Sequence, residues 1–135
     1  MAGTAGAFVG IIVFWLGSVG ASLHRFEKVA NHAAYTAAEL VVAAGQRFAR
    51  NRRVISFGWQ YDFSVERLHR VDDMPDFLLE LREAAARFAG MAPTALQHVL
   101  VMEYGPGAAI GWHRDKAVFG EIVGISLRSA CTFRL

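Results

Sequence analysis

Cysteine is almost missing. Cys131 is the single one in 135 residues, which excludes an internal disulfide framework and a cysteine-rich zinc site. Charge is sparse too: Asp, Glu, Lys and Arg make up 19% of the chain, below the roughly 25% of an ordinary soluble domain. Proline occurs only three times, and no repeat or low-complexity tract interrupts the sequence. Neither sign of charge dominates. The net charge of +2 and a pI near 9.0 are mildly basic, which is compatible with nucleic acid but not diagnostic of it. What is abundant is apolar: hydrophobic residues reach 54% and mean hydropathy is +0.29, which excludes intrinsic disorder. The length suits one domain and excludes a two-domain enzyme.

The apolar residues are unevenly spread. Residues 2–23, AGTAGAFVGIIVFWLGSVGASL, contain no Asp, Glu, Lys or Arg. As a helix this segment is long enough for a bilayer, which takes about 20 apolar residues. No Lys or Arg precedes it, so it is not a standard secretory signal, and Gly6 and Gly10 form a GxxxG helix-packing signal. Because it is apolar on all sides, no one face selects a docking direction. The pattern predicts a helix over 8–20 that stands apart from any sheet. A buried core helix is the other reading. Membrane association through residues 2–23 is the alternative to a cytoplasmic location. Residues 25–49 are Ala-rich, with Phe26, Val29, Ala33, Ala37, Leu40 and Val41 at helical spacing and Gly45 as a stop. His24 and His32 read as polar positions there.

From Asn51 the character changes. NRRVISFGWQYDF alternates β-branched and aromatic with polar residues, a strand pattern interrupted at Gly58. A helix follows, with Asp73 as its expected N-cap, Pro75 in the first turn and Asp76 at the positive end of the dipole. Phe77, Leu78, Leu81, Ala85 and Phe88 form its expected buried stripe, and Glu83 and Arg87 are spaced to pair. Gly90 closes it and Pro93 prevents its restart. LQHVLVMEY reads as a strand, GPG at 105–107 as a turn, IGWHRD as an extended segment, and the chain from Ile122 towards Leu135 as a last strand. These elements predict an α+β fold with a β-sandwich or barrel core.

His113-x-Asp115 is the sharpest chemical feature. Residues two apart in an extended segment share a face, so an imidazole and a carboxylate at this spacing can converge on one metal ion. With a second histidine they make the 2-His-1-carboxylate triad, which leaves positions on Fe(II) open for a co-substrate and oxygen. The spacing alone favours a surface histidine beside an aspartate in a turn. His98 reads as a hydrogen-bonded core histidine, His69 as solvated, and Cys131 as a small core residue.

The surroundings are more specific. VLVMEYGPGAAIGWHRDKAVFGEIVGISLRSACTFRL resembles the AlkB-type family of Fe(II)/2-oxoglutarate dioxygenases. The resemblance lies in a strand ending at Tyr104, the Pro106-Gly107 turn, the apolar Ile110, His113-x-Asp115, and a strand reading Ile125-Ser126-Leu127 with Phe133 near its end. RRVISFGWQYDFS is similar to the family's segment near the substrate opening. The resemblance spans residues 51–135.

It implies a double-stranded β-helix (jelly-roll) core with flanking helices, preceded by a helical segment over residues 1–50 that is not family-like. It implies Fe(II) as cofactor, with 2-oxoglutarate and O2 as co-substrates. His113 and Asp115 would be metal ligands, Tyr104 a hydrogen-bonding partner of 2-oxoglutarate, and Arg53, Trp59 and Tyr61 substrate-facing residues. The implied reaction is oxidative dealkylation of nucleobases in DNA or RNA, so alkylated nucleic acid is the implied partner. Two departures stand out. Met102 occupies the position of an asparagine that helps hold the co-substrate. The family's second iron-binding histidine and its 2-oxoglutarate-binding arginine would fall after Leu135. Residues 51–135 are therefore expected to be an incomplete domain and a very poor enzyme alone, and a non-catalytic or membrane-tethered binding protein is the alternative function.

Overall fold

The computed structural model describes residues 8–15, 24–28, 46–48, 52–105, 107, 108 and 110–126. Most of the expected helix over 25–49, together with His32, Pro106, Leu127, Cys131 and Phe133, lies outside them. The described elements are β1 (Phe8–Trp15), β2 (His24–Lys28), β3 (Gln46–Phe48), β4 (Arg52–Phe57), β5 (Trp59–Asp62), β6 (Arg67–Arg70), α1 (Asp76–Ala89), a 3-10 turn at Pro93–Ala95, β7 (Leu96–Tyr104) and β8 (Ile122–Ser126). Six strands form one sheet in the order β2-β8-β1-β7-β4-β3, and β5-β6 form a separate hairpin. All pairings are antiparallel except β2 with β8.

β1 corrects the helix expected over 8–20. FVGIIVFW pairs with β7 on one edge and β8 on the other, inside the sheet. Seven of its eight residues are β-branched or aromatic, and a strand paired on both edges tolerates an apolar run without alternation. β2 and β3 likewise replace the two ends of the expected helix over 25–49. HRFEK and QRF hold none of that segment's alanines, and sheet pairing overrides the modest helix propensity of the rest. Among the described residues no helix is long and apolar enough to cross a membrane.

α1 packs against one face of the sheet. Leu78, Leu81, Ala85, Ala86 and Ala89 are buried against Phe57, Val99, Val101, Val123 and Ile125. Each fully buried leucine contributes about 1.5–3 kcal/mol. Phe88 is exposed instead of buried, and Ala86 and Ala89 take its place in the stripe. Pro75, not Asp73, is the N-cap and offers no side-chain bond. Asp73 is held instead by Arg70, whose Nη2 donates to Oδ1 at 2.6 Å. Gly90 ends α1 at φ 70°, its N–H donating to the Arg87 carbonyl.

The register of β4 on β7 sorts the side chains by face. Arg53, Ile55 and Phe57 lie opposite Glu103, Val101 and Val99 on the α1 side. Arg52, Val54 and Ser56 lie opposite Tyr104, Met102 and Leu100 on the other side. A second cluster forms there, with Phe119 and Ile122 packed against Leu100, Tyr61 and Leu68.

Candidate functional site

Immediately after Tyr104 the chain turns. The Ala108 N–H donates to the Gly105 carbonyl at 3.0 Å, and Gly107 takes φ 73°, the left-handed conformation glycine tolerates. Residues 110–116 then run as a loop, which corrects the extended strand expected for IGWHRD. The segment has no edge of β7 to pair with, because β1 and β4 occupy both.

Within this loop His113 and Asp115 converge, with Nε2 3.6 Å from Oδ1. The His113 Nδ1–H donates to the Gly111 carbonyl at 2.8 Å. A carbonyl can only accept, so this bond places the proton on Nδ1 and turns the Nε2 lone pair towards the carboxylate. Two electron-pair donors facing one another suit neighbouring positions on one cation. Ligands about 2.1 Å from an octahedral centre lie about 3 Å apart, so a shift of roughly half an ångström brings the pair into register. The donor chemistry therefore fits a divalent metal. Among the described residues no cluster of three or more His, Cys, Asp or Glu gathers, so the pair is two-thirds of a triad there.

The loop is anchored to the β5-β6 hairpin. Lys116 Nζ donates to Glu66 Oε1 at 3.0 Å and lies 5.7 Å above the Tyr61 ring. The Glu66 carboxylate beside it holds the Lys116 ammonium above its ordinary pKa. The hairpin turn is shaped by Asp62, whose Oδ1 accepts from the Ser64 N–H at 2.8 Å and from its hydroxyl at 2.6 Å. These bonds hold the Asp62 carboxyl below its usual range. Further along the loop Phe119 is buried, edge-on to Tyr61 at 6.2 Å and stacked on His98 at 5.6 Å. His98 is 3% exposed, and burial lowers its pKa to about 4, so it is neutral at pH 7.

Tyr104 occupies the same face of the sheet as His98 and Leu100. Its hydroxyl donates to Met102 Sδ at 3.5 Å, so Met102 is a weak acceptor where an asparagine would offer a stronger one. The Arg52 guanidinium lies 6.0 Å from the Tyr104 ring centroid. Arg53 sits on the opposite face in a forked pair with Glu103, Nη2 to the two carboxylate oxygens at 2.6 and 2.7 Å and Nε at 3.2 Å. Trp59 lines a separate cleft beside Arg70. Of the three residues expected to face substrate, Tyr61 is thus the one that adjoins the His113–Asp115 loop. Arg52, Lys116, Glu66 and Phe119 are neighbours the sequence reading did not single out. Only strand register distinguishes Arg52 from Arg53, and one strand read alone does not carry it.

The model of the 2OG-Fe(II) oxygenase superfamily matches residues 20–135. The chain belongs to this superfamily. Its mixed helix and antiparallel strands are consistent with such an oxygenase, and membership implies Fe(II), 2-oxoglutarate and O2. No curated protein and no solved structure is significantly similar to the chain.

Proposed function

We propose that this oxygenase is an Fe(II)- and 2-oxoglutarate-dependent dioxygenase of the AlkB type, with a jelly-roll core, that removes alkyl groups oxidatively from nucleobases in DNA or RNA. The observation that carries the reading is the convergence of His113 Nε2 and Asp115 Oδ1 at 3.6 Å inside the ordered run Tyr104, Gly107, Ile110, His113, Asp115. Superfamily membership supports the oxygenase chemistry. The order of the motifs supports the AlkB type, and the mildly basic balance of the chain suits an anionic polymer.

In this reading His113 Nε2 and the Asp115 carboxylate hold the iron. The Gly111 carbonyl fixes the imidazole ring in the ligating orientation. Tyr104 offers its hydroxyl to 2-oxoglutarate. Tyr61 and Phe119 pack edge to face at 6.2 Å beside the loop. When bound, iron and co-substrate supply the oxidising equivalent: one O2 and one 2-oxoglutarate give succinate, CO2 and a hydroxylated C–H bond. Hydroxylation of an N-methyl group leaves a hemiaminal, which breaks its C–N bond to release formaldehyde. A base in a duplex must leave the stack to reach such a loop.

The test is incubation with Fe(II), 2-oxoglutarate, O2 and an N-methylated single-stranded oligonucleotide. Succinate and formaldehyde in equal amounts, absent with the unmethylated strand, are expected. Succinate without formaldehyde would place the substrate elsewhere. Neither product would favour a non-catalytic binding protein.

A further inference from the structure

The two sides of the His113–Asp115 pair are held by different means. His113 is fixed from within the loop, by its bond to the Gly111 carbonyl. The chain beyond Asp115 is fixed from outside the loop. Lys116 follows Asp115 directly, so the two Cα atoms stand about 3.8 Å apart. The Lys116 ammonium is placed by two groups of the β5-β6 hairpin, Glu66 Oε1 at 3.0 Å and the Tyr61 ring at 5.7 Å. The Lys116 carbonyl accepts from the Phe119 N–H at 3.0 Å, and Phe119 packs on Tyr61 in turn. Side chain and main chain of Lys116 are thus tied to the same ring.

Glu66 has an unusual backbone. Its φ is 51°, and among the described residues it is the one residue other than glycine with positive φ. Glycine, asparagine or aspartate ordinarily fills such a hairpin position, because other side chains are strained there. The turn is already shaped by the Asp62 bonds to Ser64. What the glutamate adds is reach, to an ammonium 50 residues away in the chain and next to Asp115. A strained residue whose side chain grips a functional loop points to a role in that loop.

The ion pair itself adds little to global stability, since Glu66 is 70% exposed. Its effect on position is separate. His113 Nε2 and Asp115 Oδ1 stand 3.6 Å apart, close to the roughly 3 Å of neighbouring ligands on one ion. A loop tied on one side only would let that separation drift, and ordering it would then oppose binding of the ion.

We propose that Glu66 and Lys116 are positioning residues of the metal pair: the hairpin clamps Lys116 and so sets the Asp115 carboxylate against His113. The inference rests on the reading of His113 and Asp115 as metal ligands. It predicts a sign that charge alone reverses. An ammonium one residue from a bound cation repels it, so a Lys116 that acted only through its charge would weaken binding, and its removal would tighten it. A Lys116 that acts through position strengthens binding, and its removal weakens it.

The test is calorimetric titration with Co(II) alone, without 2-oxoglutarate. Lys116→Met and Glu66→Gly should each bind about 10-fold more weakly than wild type, the low end of the range for a supporting partner of a ligand. The double variant should bind no more weakly than either single one, because both remove the same clamp. Lys116→Arg keeps the pair and should retain most of the affinity. Glu66→Gly should leave Tm close to that of wild type, because glycine relieves the left-handed turn as it frees the unfolded chain. A merely structural role for Glu66 predicts no loss of metal affinity in that variant. Glu80→Gln, which removes an exposed carboxylate of α1, should bind as wild type. Wild-type affinity in Glu66→Gly, tighter binding in Lys116→Met, or additive losses in the double variant overturns the proposal and leaves the metal pair standing. No binding of Co(II) by the wild type overturns the metal pair, and the proposal with it.

Discussion

Gly58→Ala should unfold the junction that places the hairpin. Gly58 sits between β4 and β5 at φ 79°, where a residue with a side chain is strained by about 1–2 kcal/mol. A Cβ there would lie 2.1 Å from the Gln97 carbonyl oxygen, which is backbone of β7 and cannot rotate away. The junction is pinned on both sides: the Gly58 N–H donates to the Asp72 carbonyl at 2.7 Å, and the Val71 N–H donates to the Gly58 carbonyl at 3.2 Å. Relief therefore means moving the backbone, and overpacking of that kind costs about 1–3 kcal/mol. Together these amount to a loss of about 2–5 kcal/mol. For a chain of this size about 3 kcal/mol lowers Tm by roughly 10 °C. Thermal and urea unfolding followed by circular dichroism measure it. The hairpin carries Tyr61 and Glu66, so the contact with Lys116 should loosen as well. A Gly58→Ala protein within 2 °C of wild type would refute this account of the junction.

Three further outcomes follow from other contacts. His98 is neutral and buried with its pKa depressed from 6.5 to about 4, so its contribution to stability is complete above pH 6.5 and is lost as pH falls towards 4. Through that window the unfolded chain binds the extra proton, at a cost of about 3 kcal/mol to the native state, and His98→Gln should flatten the fall in a urea titration series. Arg53→Met strands the Glu103 carboxylate, only 13% exposed, and should destabilise by about 1–3 kcal/mol, with Glu103→Leu in the same background recovering most of it. Lys116→Met should leave Tm within about 1 °C, because its partner Glu66 is 70% exposed and such exposed pairs contribute little, but should increase hydrogen exchange in residues 110–118.

Much of the second half was legible because its signals are local. Alternation marks β4, β5 and β7, a left-handed glycine marks the end of α1, and the Gly-rich turn follows Tyr104. The failures have physical causes. An apolar run such as FVGIIVFW has no period, so strand and buried helix look alike until its pairing partners are known. Asp73 has the chemistry of an N-cap, but Arg70 three residues earlier competes for the carboxylate. β6 was not foreseen at all, because RLHR is mostly polar and acquires its strand form from the hairpin with β5. The site divides the same way. The closeness of His113 and Asp115 is a local matter, set by two residues of spacing and one bond to Gly111. The faces of Arg52 and Arg53, and the anchoring of the loop by Lys116, depend on partners about fifty residues away.

The central claim is that His113 and Asp115 bind a metal ion together. Its most direct test is anaerobic titration of the protein with Fe(II), read by calorimetry, for the wild type, His113→Ala and Asp115→Ala. The account expects one ion per chain, and a fall in affinity of more than about 100-fold in each variant, since losing even a supporting partner of a ligand typically costs 10- to 100-fold. Fe(II) binding of equal strength in all three proteins, or none in the wild type, would contradict it.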